Sequence, residues 1–223
     1  MHLIKNIKKG TKILDAGCGA GNEAILSGLL GGKITGIDIN KTRLNLAKKR
    51  VAYYENRFNK KIDAEFYLKN IFNHRGEYDI IWAEEAISHI NPAEKFIYYS
   101  FKNLKIGGKL IIADQNNLNP MVYIKRRKVQ KKEGGSIITV IDPDTGEEIL
   151  YAIERYFTIP SIKKLMSQFF KKIEIYPIGY IPYSIYRKNN MITRIIERDF
   201  LTKMPILKIL SGAYVIIGTK MNS

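Results

Sequence analysis

Short apolar runs rich in β-branched residues recur along the chain. They are "KIL" (Lys12–Leu14), "KITGID" (Lys33–Asp38), "AEFYL" (Ala64–Leu68), "YDIIWA" (Tyr78–Ala83), "KLIIAD" (Lys109–Asp114), "KKIEIY" (Lys171–Tyr176) and "YVIIGTK" (Tyr214–Lys220). Each predicts a strand. Longer amphipathic segments separate the first five, such as "KTRLNLAKKRVAYYENRF" (Lys41–Phe58), whose apolar positions fit the helical period. Alternation of this kind predicts a Rossmann-like, doubly wound α/β fold: a parallel sheet between two layers of helices, an α/β/α sandwich. "NPAEKFIYYSFKNLKIGGK" (Asn91–Lys109) reads as a further helix, with Asn91 as its cap, Pro92 in the first turn and Gly107-Gly108 closing the connection.

The alternation breaks twice within what reads as a single domain over 1–223. From Gln115 to about Arg155 runs a basic, turn-rich insertion in which "DPDTGEE" (Asp142–Glu148) predicts a hairpin turn between "SIITVI" and "EILYAI". A second insertion, 177–212, separates the last two strands. Within it "NMITRIIERDFLTKMPILKIL" (Asn190–Leu210) places Ile192, Ile195, Ile196, Phe200 and Met204 in one apolar sector edged by Arg194, Arg198 and Lys208. Such a stripe is either core or a basic amphipathic helix that rests on an anionic membrane.

Candidate chemistry begins in "KILDAGCGAG" (Lys12–Gly21). Glycines directly after a first strand let the backbone turn tightly into a helix and pass close to a ligand. A dinucleotide fingerprint, G-x-G-x-x-G, would need glycine at Asn22. The spacing present is Asp15, Gly17, Gly19, Gly21. A carboxylate before the first glycine repels a pyrophosphate but attracts a ligand ammonium, which favours a zwitterionic amino-acid ligand. The plainer alternative is that Asp15 caps the following helix.

These residues resemble the class I S-adenosylmethionine-dependent methyltransferases, from Ile13 to about Asp114 and again over Glu154 to Lys220. "ILDAGCGAG" resembles that family's first motif, which implies that Asp15, Gly17, Cys18, Gly19 and Gly21 border the cofactor. "GIDIN" resembles the second, with Asp38 accepting from both ribose hydroxyls and Ile39 against the adenine. "YLKNIF" resembles the third, with Asn70 meeting the adenine amino group and the Ile71 backbone the ring. The family more often has aspartate at the Asn70 position, and an amide oxygen can serve the same end. "YDIIWAEEAISHI" resembles the fourth strand and its exit, which sets Ala83 and Glu84 beside the methionine part. The resemblance further implies an antiparallel last strand inserted next to the fifth, S-adenosylmethionine as cofactor and S-adenosylhomocysteine as product. Related enzymes carry a covering helix before the first strand, whereas about a dozen residues precede Ile13 here, so the two insertions are expected to form the lid and acceptor wall.

Methyl transfer asks mainly for alignment and, with a hydroxyl acceptor, for proton removal. His89 is the candidate general base if "EEAISHI" opens a helix; packing is the alternative role. Glu84, Glu85, Asp114 and Asn116 cluster near strand ends, but the aspartate of metal-dependent relatives is missing after the fourth strand, so no metal is expected.

Composition narrows the acceptor only a little. The 45% hydrophobic content is enough for a full core, and 37 Lys+Arg against 21 Asp+Glu give a net charge of +16, which favours polyanionic partners or simply reflects host composition. Cys18 is the one cysteine, which excludes a disulfide framework and a cysteine-zinc site. No apolar run is long enough to span a membrane and no signal peptide is evident, so a cytoplasmic protein is expected, with peripheral membrane contact through the tail as an option. No N-P-P-[FYW] signature of amino-methylating nucleic-acid enzymes is present. The loose second resemblance, over "DQNNLNPMVYIKRRK" (Asp114–Lys128) and the segments that follow, is to methyltransferases of quinones, lipids and saccharide precursors. The expected activity is therefore methylation of a small or lipid-linked acceptor, at oxygen. RNA or protein methylation through the basic Lys125–Lys132 stretch, and a non-catalytic cofactor-binding module, are the alternatives.

Overall fold

The computed structural model describes residues 7–179 and 208–222. In chain order the elements are β1 (Lys12–Ala16), α1 (Asn22–Leu29), β2 (Lys33–Asp38), α2 (Lys41–Phe58), β3 (Ala64–Leu68), β4 (Tyr78–Glu84), α3 (Ala93–Asn103), β5 (Leu104–Gln115), α4 (Pro120–Lys132), β6 (Ile137–Ile141), β7 (Glu148–Ala152), α5 (Ile159–Met166), β8 (Lys172–Ile178) and β9 (Ala213–Thr219). Seven strands form one sheet in the order β3-β2-β1-β4-β5-β9-β8, and β6 pairs with β7 apart from it. β1 to β5 are parallel, while β9 runs antiparallel between β5 and β8, as the resemblance implied.

Alternation along each strand sends successive side chains to opposite faces of the sheet, and both faces are buried. Leu14, Ile81, Leu110, Ile112, Tyr214 and Ile216 meet Phe96 and Ile97 of α3 and Ile162 and Met166 of α5. Their neighbours Ile13, Ile80, Trp82, Ile111, Val215 and Ile217 share the other face with Ala24 of α1 and with Leu44 and Ala47 of α2. This two-sided burial explains why β4 and β5 read as continuous apolar runs. Loop polarity then fixes the ends: Asn40 caps α2 by accepting from Arg43 N, and Thr158 and Ser161 cap α5 reciprocally.

Several expectations need correction. No helix joins β3 to β4; one 3-10 turn, Ile71–Asn73, is all the short link allows. "EEAISHI" is not helical: after β4 the chain makes a turn over 87–89. α3 starts at Ala93 with Pro92 before its first turn, and Asn91 does not cap it but accepts a hydrogen bond from Arg155 (2.7 Å). The insertion after β5 contains a 13-residue helix, α4, that the turn-rich reading missed; Asn119 caps it with Pro120 at its start. Its hairpin forms as expected, Ile138 opposite Tyr151 and Val140 opposite Ile149. Most of the second insertion, including all of the tail stripe before Lys208, lies outside the described residues. Among those described, no helix is long and apolar enough to cross a membrane.

Candidate active site

The carboxyl ends of β1, β2, β3 and β4 converge on one edge of the sheet. β1 empties into a loop where Gly17, Gly19 and Gly21 have φ of +75°, +50° and +76°. At Gly17 a Cβ would stand 2.8 Å from Cβ of Ala86, so only glycine permits this approach to the turn after β4. The loop is tied to β2: Gly17 N and Cys18 N donate to Ile37 O (2.8 and 3.0 Å), and Gly19 N donates to Asp38 Oδ2 (2.8 Å). Asn40 N donates to Asp38 Oδ1 (2.7 Å), which leaves each carboxylate oxygen a second lone pair for a ligand. Cys18 is buried, with Sγ near the Gly36 backbone. Burial, aided by Asp15 and Asp38, pushes its thiol far up, so it stays protonated and packs.

Beside this loop opens a cavity of about 620 Å³. Gly17, Asp38, Ile39, Asn70, Ile71 and His89 all line it, so the structure brings these predicted residues together. Asp15, Cys18, Gly19, Gly21, Ala83 and Glu84 do not line it. Gly21 starts α1 and packs near Phe66, and Ala83 is fully buried. The hairpin forms the outer wall with Ile138, Val140, Ile149 and Tyr151. Arg43, Lys69 and Lys95 also reach the lining; nothing in the sequence pattern singled them out, because they lie far apart, on α2, in the loop after β3 and on α3.

The hairpin is anchored at both ends. At its base Ala152 N donates to His89 O (3.1 Å), Arg155 N to Ser88 O (3.0 Å) and Arg155 Nη1 to Asn91, while Tyr151 stacks on the His89 ring with centroids 5.3 Å apart. At its tip Asp144 Oδ2 accepts from Asn70 N (2.7 Å) and Asp142 Oδ2 accepts from Asn70 Nδ2 (2.6 Å). His89 Nδ1 lies 3.0 Å from Ala152 O. A carbonyl oxygen only accepts, so Nδ1 carries the hydrogen, and Nε2 of the neutral ring holds the lone pair a general base needs. Asp114 Oδ2 accepts from Ser88 N (3.1 Å) and so steadies the same turn; burial raises its carboxyl to about 7.

Carboxyls also cluster beside the glycine loop, outside the cavity lining. Asp15 is 3% exposed, its Oδ2 has no partner, and burial followed by Glu23 raises its carboxyl well above the usual range. Glu84, at the end of β4, is raised to about 8 by burial and then by Glu23, Glu85 and Asp15. Crowding of this kind favours the neutral, protonated carboxyl over the charged form. Among the described residues no group of three or more His, Cys, Asp or Glu is placed to hold a metal ion.

A doubly wound sheet with this strand order, a glycine loop after β1, an acidic residue closing β2 and clustered carboxyls beside the loop defines a class I S-adenosylmethionine-dependent methyltransferase. Residues 7–172 match the family of methyltransferase domains, and the chain belongs to that family. It is 32% identical over 123 residues to the ubiquinone biosynthesis O-methyltransferase of Pelagibacter ubique, covering 52% of this chain and 50% of that protein. It is 30% identical over 110 residues to phosphoethanolamine N-methyltransferase 1 of Zea mays, covering 49% and 21%. The chain thus spans half or less of these curated relatives. A structure of Haemonchus contortus phosphoethanolamine N-methyltransferase 2 with S-adenosyl-L-methionine superposes with a TM-score of 0.64 at 18% identity, over 99% of this chain and 51% of that one. A methyltransferase of Methanosarcina mazei superposes at 0.60 and 18%, over 100% and 98%. At these identities the structures speak for the fold.

Proposed function

We propose that the protein transfers the methyl group of S-adenosylmethionine to a hydroxyl of a small or lipid-linked acceptor. The observation that carries the reading is the division of the site by the glycine loop. On one side stands buried Asp15, whose Oδ2 lacks a partner, with the raised Glu84; on the other lies a cavity walled by apolar side chains and edged by Asp38 and Asn70. The two sides suit the two ends of one ligand, an ammonium-bearing amino acid and a nucleoside. When bound, the cofactor supplies an electrophilic methyl group on a sulfonium centre.

The chain's own residues do the rest. Asp15 and Glu84 hold the ammonium, Asp38 accepts from the ribose hydroxyls, and Ile39, Asn70 and Ile71 receive the adenine. The apolar wall from Ile138, Val140 and Ile149 keeps water from the reacting centre. His89 Nε2 takes the proton of the acceptor hydroxyl as the oxygen attacks, and the Nδ1–H bond to Ala152 O holds the ring in the tautomer that can do so. The curated relatives named for ubiquinone biosynthesis act at oxygen by name, which supports the hydroxyl.

A lipid-linked acceptor is favoured by the outer face of α4. Met121 (62% exposed) and Ile124 (54%) stand on the same exposed side as Lys125, Lys128 and Lys132, an apolar first turn followed by basic turns that fits an anionic bilayer better than a phosphate backbone. Methyl transfer from radiolabelled S-adenosylmethionine into a host-cell extract tests the proposal. Label in the organic-soluble or small polar fraction supports it, and label in RNA or protein overturns it; binding of cofactor with no turnover in any fraction leaves a non-catalytic module. Cosedimentation with phosphatidylglycerol vesicles, reduced by Lys125→Glu/Lys128→Glu, tests the membrane approach.

A further inference from the structure

The tip of the inserted hairpin meets Asn70, a residue of the site whose chemistry depends on which way it faces. Asn70 carries an amide whose oxygen and nitrogen could exchange places by a flip of χ2, and here two independent contacts set the orientation. Phe72 N can only donate, and it donates to Oδ1 (3.1 Å). The Asp142 carboxylate accepts, and it lies 2.6 Å from Nδ2. Asp142 is itself 3% exposed and held: its Oδ1 accepts from Asp144 N (2.8 Å), and its backbone exchanges bonds with Glu147 and Gly146. The two bonds fix which end of the amide is oxygen: Oδ1 caps the turn at Phe72 N, Nδ2 faces the hairpin, and the oxygen keeps one lone pair at a residue that lines the cavity.

We propose that Asp142, 72 residues away in sequence, is a positioning residue that makes Asn70 read an adenine and reject a hypoxanthine. This rests on the cofactor reading above. An amide oxygen held outward accepts from an exocyclic amino group, as adenine presents; hypoxanthine presents a carbonyl there, and two acceptors face each other unpaired. Without Asp142 only the Phe72 N bond opposes a flip that would offer an N–H to that carbonyl, so discrimination falls even where the site otherwise stays intact. The hairpin is then a specificity element of the cofactor pocket as well as its cover.

The test compares the binding of S-adenosylhomocysteine and its inosine analogue by titration calorimetry, which needs no acceptor and no turnover. The wild-type protein is expected to prefer the adenine compound by on the order of 100-fold, a site that hydrogen-bonds a ligand group being strict toward an analogue that cannot pair. Asp142→Ala should cut that preference at least tenfold, chiefly by tighter relative binding of the inosine compound, and Asp142→Asn, which still offers an acceptor oxygen, should restore part of it. Asp144→Ala loosens the tip at the Asn70 backbone and Asn73 without touching the Asn70 amide, so it should weaken both ligands together and leave their ratio unchanged. A ratio unaltered in Asp142→Ala, or lowered equally in Asp144→Ala, overturns the proposal. Failure of the wild-type protein to bind S-adenosylhomocysteine at all would instead overturn the cofactor reading.

Discussion

Glu84 offers the sharpest test of the acidic side of the site. Burial and the nearby Glu23 raise its carboxyl to about 8, so near pH 7 the free protein holds a proton there that a bound ammonium must expel. The sign follows: binding releases a proton, so affinity rises with pH up to about 8 and levels above it. One proton per event would change affinity about tenfold per pH unit, or roughly 100-fold from pH 6 to pH 8. The Glu84 side chain is exposed at the end of β4, and solvent and salt screen it, which brings the expected change down to about tenfold. Titration calorimetry of S-adenosylhomocysteine at pH 6, 7 and 8, in buffers of different ionisation enthalpy, counts the protons released. Glu84→Gln should flatten most of the profile, binding like the wild-type protein at pH 6 and about tenfold more weakly at pH 8, with any residual slope left to Asp15. A wild-type affinity that is flat over this range, with no proton released, would refute the assignment of Glu84 to the ammonium.

The same raised carboxyls bear on stability without ligand. The folded chain keeps protons on Glu84 and on Asp114, raised to about 7, that the unfolded chain loses at ordinary carboxylate pH. Their contribution is therefore complete only below the ordinary carboxylate pKa of about 4, declines as pH rises above it and is gone above about 7 to 8, so the thermal midpoint of the free protein should fall between pH 5.5 and 8.5. His89→Asn keeps a donor for Ala152 O but no base; kcat with a hydroxyl acceptor should drop roughly 100-fold or more while S-adenosylhomocysteine affinity measured by calorimetry barely moves. Gly17→Ala forces a Cβ against Ala86 at a φ of +75°, and should abolish detectable cofactor binding while circular dichroism still shows a folded sheet. Asp38→Ala should weaken S-adenosylhomocysteine by about 1–3 kcal/mol, seen in the same titration. Phe96→Ala empties a fully buried ring site between α3 and the sheet and should cost about 3–5 kcal/mol in urea unfolding.

Local pattern determined much of this protein. The strands announced themselves because both faces of the sheet are buried, which leaves continuous apolar runs such as "DIIWA" and "LIIAD" that no surface segment would carry. The glycine spacing after β1 and the acid after β2 were legible for a similar reason: backbone conformation and ligand charge restrict residue type at those positions directly. The hairpin was legible as well, from the turn chemistry of "DPDTGEE". Where it folds was not. Contacts of Asp142 and Asp144 with Asn70, and of Ala152 with His89, join residues more than 60 positions apart, and no local propensity encodes such a pairing. The spacing around His89 also suits a helix, and the bonds that make it a turn come from Asp114 and Arg155, distant in sequence. Short-range sterics and burial chose the elements; only the closed tertiary fold, which brings distant donors and acceptors to hydrogen-bond distance, decided what covers the site, which tautomer His89 holds and which way Asn70 faces.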